Sequence, residues 1–320
     1  MKFKEIFLIA RFKNYRKKTF ITALPKISVK LSMIIHISTL MNNGLFRLEY
    51  MKVVREVSIL RSLRKIYQFF VDIPLKKGVV LNDRYEVKAV IGTGSYGLVY
   101  LCNDLKKNEN IVIKQLRKSK RRSKKELKQF ENEMTILRML NHKNIPKFHE
   151  NFSHDGNVYF VMDFIEADNL EDHIFLNQLT FNEKESLFFL DELVGLVSYL
   201  HGHDICHQDL RIPNILLKNH QPILIDFGLS KMINSADLAQ ESILQQKRQD
   251  FYDLGEILLY VLYTTYASKS KKALPWTEEL SLEKETVHIL KRLLSIQEPY
   301  SDIKEISMDL QAALQSKKLN

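Results

Sequence analysis

Cysteine, glycine, proline and tryptophan are all scarce in this chain of 320 residues, at two, ten, seven and one. Cys102 and Cys206 are too few for a disulfide framework or a four-thiolate zinc site, so the sequence reads as that of a protein from a reducing, cytoplasmic setting. Collagen-like, disulfide-rich and wholly disordered chains are excluded on the same composition. No apolar run reaches the ~18 residues that a membrane-spanning helix requires. The longest candidate, Leu31 to Met41, is too short and contains His36. What is present, with 45% apolar residues, is enough to build a sizeable core over roughly two average domain lengths.

The formal net charge of +10 is unevenly placed. Residues 1–50 carry ten bases against two acids, Glu5 and Glu49, whereas the remaining 270 carry 38 against 36. The body is nearly neutral, so no specific nucleic-acid partner is expected. The stretch 1–50 lacks helical or strand periodicity and admits three readings: a flexible basic arm, a targeting or membrane-surface segment, or upstream sequence that is not translated, with Met51 the start. From Lys52 to Pro74 the pattern changes. Val53, Val57, Leu60, Leu63, Tyr67 and Phe70 recur at three- and four-residue spacing with bases between them, which predicts an amphipathic helix ended by Pro74. Such a helix packs on a neighbouring domain or lies on an anionic membrane, so peripheral membrane contact through residues 1–70 stays open. The expected divisions are 1–50, 51–78 and 79–314.

Residues 84–115 predict strands: Arg84 to Ile91, Leu98 to Cys102 and Ile111 to Ile113, with a polar turn over Asp104 to Asn110. Phe130 to Leu140 has helical spacing, Val158 to Ile165 predicts another strand, and helical patterns follow at 183–202, 250–265, 283–296 and 301–314. Strands first and helices afterwards indicate an α+β fold, not alternating βαβ units.

Gly92-Thr93-Gly94-Ser95-Tyr96-Gly97 matches G-x-G-x-x-G. The same string opens dinucleotide-binding folds, but there the third glycine starts a helix. Here Leu98 to Leu101 continues as strand, which predicts a β-turn-β flap able to lay bare N–H groups over phosphates. Lys114 ends the apolar run Ile111-Val112-Ile113, and Glu133 follows nineteen residues later beside Met134. Alone, that lysine reads as a snorkelling surface residue; with Glu133 it can form a pair that holds the amine against phosphate oxygens. Further on stand His207-Gln208-Asp209-Leu210-Arg211-Ile212-Pro213-Asn214 and Ile225-Asp226-Phe227-Gly228. Gly-rich loop, strand lysine, helix glutamate, H-x-D-x-x-x-x-N and D-F-G, in that order, resemble the protein-kinase superfamily over about residues 84–314.

The resemblance implies a two-lobed fold: a small antiparallel β-sheet lobe with one main helix at about 79–165, and a larger, mostly helical lobe at about 166–314. It implies ATP as phosphoryl donor and a protein hydroxyl of Ser/Thr type as acceptor. Mg²⁺, with Mn²⁺ as the alternative, would be held by Asn214 and Asp226, both hard oxygen ligands. Asp209 would accept the hydroxyl proton, Lys114 held by Glu133 would orient the α- and β-phosphates, and Arg211 would reach the γ-phosphate. Gly92, Gly94 and Gly97 would cover the phosphates. Ile91, Val99, Val112 and Leu216 would wall the adenine slot, with Met162 at its rear and Asp163 to Ile165 as the hinge that reads the adenine edge. Leu137, Phe148, His207 and Phe227 look like a stacked apolar spine, and Asp250, opening a helix, looks like the anchor of the catalytic loop. His201, His203 and His207 read as a helix end and not a metal cluster, and Cys206 as a small core residue. The eight bases of Arg117 to Lys128 read as a solvated loop and helix face.

Three departures stand out. Gln208 replaces an arginine that commonly pairs with a phosphorylated activation segment. Only 24 positions separate Asp226 from Asp250, with no A-P-E motif between them and no matching arginine in Ser295 to Ser301. Arg211 replaces the lysine common in Ser/Thr kinases. These features give a short, bacterial-like type whose segment is expected to need no phosphorylation at Ser230, Ser235 or Ser242, held by an apolar face of Met232, Ile233, Leu238, Ile243 and Leu244. A phosphotransferase acting on a small molecule or within an RNA-modifying complex is the alternative. A non-catalytic nucleotide-binding module is disfavoured, because Lys114, Asp209, Asn214 and Asp226 are all present.

Overall fold

Alternating large apolar side chains, Leu98, Tyr100 and Cys102 on one strand, fix one face of the first half of the fold against a core that also takes Tyr85, Val87, Ile113, Tyr159 and Val161. The computed structural model describes residues 71–94, 97–233, 239–267 and 274–316. The stretch 1–50 and most of the proposed amphipathic helix lie outside them, as do Ser95, Tyr96, Ser235 and Leu238. The described residues from Leu75 onward fall in one compact unit, to which the elements below belong.

Six strands make an antiparallel sheet: β1 (Val80–Leu81), β2 (Tyr85–Thr93), β3 (Gly97–Asp104), β4 (Glu109–Leu116), β5 (Phe148–His154) and β6 (Asn157–Asp163). Their order is β1-β2-β3-β4-β6-β5. Helix α1 (Lys124–Met139) starts at Ser123, whose side chain accepts from the Glu126 N–H. It buries Phe130, Glu133, Met134, Ile136 and Leu137, and the Phe130 ring lies 5.1 Å from Phe160 of the sheet. A carboxylate on that buried stripe is the feature that matters for the site.

The second half is helical: α2 (Leu170–Phe175), α3 (Glu183–Gly202), α4 (Gln240–Leu262), α5 (Trp276–Glu279), α6 (Lys284–Leu293) and α7 (Ile303–Ser316). A capping box between Asn182 and Glu185 starts α3. Helix α3 packs against α4 and α7, and α4 against α6. Two short antiparallel pairs lie between α3 and α4: β7 (Ile205–Cys206) with β10 (Lys231–Met232), and β8 (Ile215–Lys218) with β9 (Gln221–Leu224). The fold is α+β and two-lobed, as the sequence indicates.

Three expectations need correction. The edge strand β5 and the short α2 carry no strong periodic signal. Helix α4 begins at Gln240, so Asp250 sits inside it and not at its start. The basic run is not wholly solvated: Lys120 is buried and pairs with Glu126 at 2.7 Å.

Candidate active site

Strand β4 is buried from Ile111 to Leu116, and in that run the charged Lys114 needs partners. Its Nζ lies 2.5 Å from Glu133 Oε1 on α1 and 2.9 Å from Asp226 Oδ1. Burial alone would lower the lysine, but Asp226 and Glu133 outweigh it and hold the ammonium above its ordinary range. In turn Lys114 keeps the Asp226 carboxyl below the usual range, so this group is an anion. Asp226 adopts φ +65°, a left-handed conformation that costs a non-glycine residue about 1–3 kcal/mol. The turn drives the next side chain, Phe227, into the core, 4.9 Å from the His207 ring. Helix α1 also grips the chain beyond it: Gln129 donates to the Gly228 carbonyl at 2.6 Å and Asn132 to that of Ser230 at 2.9 Å. The helix that delivers Glu133 and the turn that delivers Asp226 are therefore one assembly.

The loop from Cys206 to Asn214 is held from below. Asp250 accepts the N–H groups of His207 (3.0 Å) and Gln208 (2.7 Å) and meets His201 Nε2 at 2.9 Å. Asn214 donates from Nδ2 to both the carbonyl and Oδ2 of Asp209, each at 2.9 Å, and Arg211 Nε approaches that Oδ2 at 3.3 Å. Burial raises the Asp209 carboxyl, with Arg211 and Asn214 pulling the other way. Burial lowers the fully buried His207, so the ring is neutral. It belongs to the apolar stack with Phe227. His201, Cys206 and Asp250 converge with ligand atoms within 4.8 Å. The carboxylate there is already engaged by two N–H groups and an imidazole, and burial pushes the Cys206 thiol up to about 12. This trio is an anchor.

Above the loop, β3 starts at Gly97, so the glycine-rich segment is a β-turn-β flap. A Cβ at Gly97 would lie 3.0 Å from the Gln115 carbonyl and 3.3 Å from Lys114 carbons, so only glycine lets the flap pass this close. Gly94 N–H donates to the Gly97 carbonyl at 3.0 Å, and the Gly94 carbonyl accepts from Arg117 Nε at 2.8 Å. Val99 pairs with Gly92 and Lys114; Val112 pairs with Met162, which also faces Phe148. Ile91 lies half exposed at a register shift in β2, and Leu216 on β8 bridges to Asn169. Asp163 closes β6 and is clasped there: its N–H and Oδ2 meet the Lys147 carbonyl and N–H, each at 3.0 Å, and its Oδ1 meets His149 Nε2 at 2.7 Å. The Ile165 carbonyl is taken by the Ala167 N–H at 3.0 Å.

With this geometry in view, similarity to known proteins is decisive. The sequence matches the protein kinase domain over residues 85–247. It is 42% identical over 255 residues to a probable serine/threonine-protein kinase, YbdM, of Bacillus subtilis (strain 168), covering 80% of this chain and 99% of that one. The chain belongs to the protein kinase family. It is also 33% identical over 161 residues to CBL-interacting serine/threonine-protein kinase 15 of Arabidopsis thaliana, covering half of this kinase but 38% of the plant one. A similar stretch matches NUAK family SNF1-like kinase 2 of Pongo abelii at 32%.

The kinase's departures have structural counterparts. Gln208, at φ +64°, donates from Nε2 to the Gln246 carbonyl at 2.8 Å, tying the catalytic loop to the first turns of α4. Where an A-P-E glutamate and its arginine are both absent, Arg248 of α4 donates to the Tyr300 carbonyl at 3.3 Å. Tyr300 is buried under the Arg292 guanidinium, 3.8 Å from its ring, and Arg292 is held by Glu305 and Asp309. Among the expected apolar face, Ile233 is buried but Met232 is 43% exposed, and Ile243 and Leu244 are only half-buried on α4. The face is mainly helix, not packed loop. Ser230 is buried and donates to the His207 carbonyl at 3.1 Å, so it is a strut and no phosphorylation site. Residue type and spacing mark none of Gln129, Asn132, Arg117 or Ser230, because each acts on a backbone carbonyl. Asp253, whose carboxylate accepts the Leu210 N–H, carries one faint signal, its position a turn after Asp250 on the same face.

Proposed function

We propose that this kinase transfers the γ-phosphate of ATP to a serine or threonine hydroxyl of a protein, with Mg²⁺ as its working ion. The observation that carries the reading is the single cluster in which Lys114 joins Glu133 to Asp226 while Asn214 orients Asp209. The donor set suits a hard divalent cation. Both amide hydrogens of Asn214 point at Asp209, which leaves its Oδ1 as an oxygen ligand, and Asp226 is anionic with a side chain 45% exposed. Mn²⁺ fits the same oxygens. When bound, the ion neutralises phosphate oxygens.

In this reading Lys114, fixed from two sides, orients the α- and β-phosphates, and Arg211 meets the γ-phosphate. The flap of Gly92, Gly94 and Gly97 covers the chain of phosphates. Ile91, Val99, Val112 and Leu216 hold the adenine between β-sheet and β8, with Met162 behind it and the backbone of Asp163 and Ile165 along its edge. Asp209 takes the hydroxyl proton as the substrate oxygen attacks. In this reading the basic stretch 1–50 and the amphipathic sequence after it add a peripheral contact to an anionic membrane in a cytoplasmic enzyme; among the described residues no helix is long and apolar enough to cross one.

The test is mass spectrometry of purified protein incubated with Mg-ATP, with and without generic protein substrates, beside Asp226→Asn. Transfer to serine or threonine in the parent and a loss of at least a hundredfold in the variant, at unchanged Tm, is expected. Undiminished transfer by the variant would remove the metal assignment.

A further inference from the structure

Asp250 fixes the two peptides on the N-terminal side of Asp209, and Asn214 takes the carbonyl of the peptide that follows it. On the other side the Leu210 N–H donates to Asp253 Oδ2 at 3.2 Å, and Asp253 Oδ1 takes the Gln249 amide at 2.7 Å. We propose that Asp253 is a positioning residue for Asp209, the second of two buried aspartates one helical turn apart whose carboxyl groups bracket the catalytic loop from both sides. The proposal rests on the reading of Asp209 as the base.

Asp253 is an unusual choice for a structural acceptor. It is 7% exposed, and no cation lies within ion-pair range of it among the described residues. The charged groups around it make matters worse for an anion. Its own helix supplies Asp250, Tyr252 and Glu256. Across from α4, His201 is committed to Asp250, Arg211 to Asp209, and Arg292 of α6 to Glu305 and Asp309; His207 is neutral, and Lys231 and Lys247 lie toward Cys206. Burial first, then Asp250 and Glu256, push the Asp253 carboxyl up to about 8. The neutral acid keeps a lone pair for Leu210 without adding a second charge beneath the loop. An amide in its place would keep the acceptor and lose the titration, which separates the two roles.

The experiment uses the full chain with Asp253→Ala, Asp253→Asn and, as control, Asp209→Asn, measuring kcat, KM for ATP and Tm at several pH values. For Asp253→Ala we expect kcat to fall at least tenfold with KM for ATP within twofold, because the nucleotide cleft is untouched. Asp253→Asn should restore kcat to within threefold at pH 7. Asp253 is more protonated in the folded than in the unfolded chain, so the stability it lends is full below the ordinary carboxylate range and is lost as pH rises to about 8. Wild-type Tm should therefore fall more steeply than that of Asp253→Asn between pH 5 and 8. If the alanine variant does not fold, this comparison and the kcat of the asparagine variant carry the test alone. Unchanged kcat in Asp253→Ala, or equal losses of kcat and Tm in both variants, would overturn the positioning role. Near-wild-type turnover in Asp209→Asn would instead sink the reading of the base.

Discussion

Asp209 and Asp226 are two carboxylates of one cleft pushed apart by their surroundings. Burial lifts Asp209, while Lys114 holds Asp226 down, the kind of divergence that assigns one group to proton transfer and the other to charge. Asp209 must be ionised to accept a hydroxyl proton. As pH falls through its raised value the carboxylate is lost and turnover goes with it. The acid limb of kcat against pH is therefore expected above the ordinary aspartate value of about 3.9. A limb at or below that value, measured where Tm is constant, would contradict a buried base. The charged members of this cluster were legible from residue type and order through the resemblance to protein kinases, and the structure brings them together. Gln129, Asn132 and Ser230 were not, because a side chain that bonds a carbonyl far along the chain leaves no periodic trace.

Among the elements, the bounds of α3 were legible from its helical spacing over 183–202, whereas the first ten residues of α4 were not. Gln240 to Gln249 have good helix formers but little apolar rhythm, and no side chain caps the start at Ala239. They are helical as the extension of a buried core helix. Two glycines, one on α4 and one on α3, test how tightly these helices are set. A Cβ at Gly255 would lie 2.8 Å from Leu293 Cβ of α6, so Gly255→Ala should cost about 1–3 kcal/mol by overpacking. Gly195 of α3 is exposed with nothing within 4 Å, and Gly195→Ala should gain up to about 1 kcal/mol. Opposite shifts in Tm are the expected outcome; a loss at both would mean that the helices pack otherwise. The same extension supports the expectation that order here needs no phosphorylation, since Gln208 holds the Gln246 carbonyl. Replacing Ser235 and Ser242 together by alanine, with Ser230 kept, should leave the specific activity of phosphatase-treated enzyme within a few-fold. A hundredfold loss recovered by glutamate replacements would show that another base reads a phosphate there.

For the whole molecule, charge and fold separate cleanly along the chain. Ten of the 48 bases lie in the first 50 residues, and the family match begins only at Tyr85. A protein starting at Met51 is expected to keep its specific activity within twofold while losing binding to anionic vesicles in a sedimentation assay. A tenfold loss of turnover would tie the arm to catalysis.

The Gln208 side chain on the Gln246 carbonyl also bears on how such an enzyme is governed. A loop fastened by an uncharged amide is expected to reach its working shape as the helical lobe folds, without a later covalent mark. Activity is then expected to track the amount of folded enzyme and not the phosphorylation state of this segment.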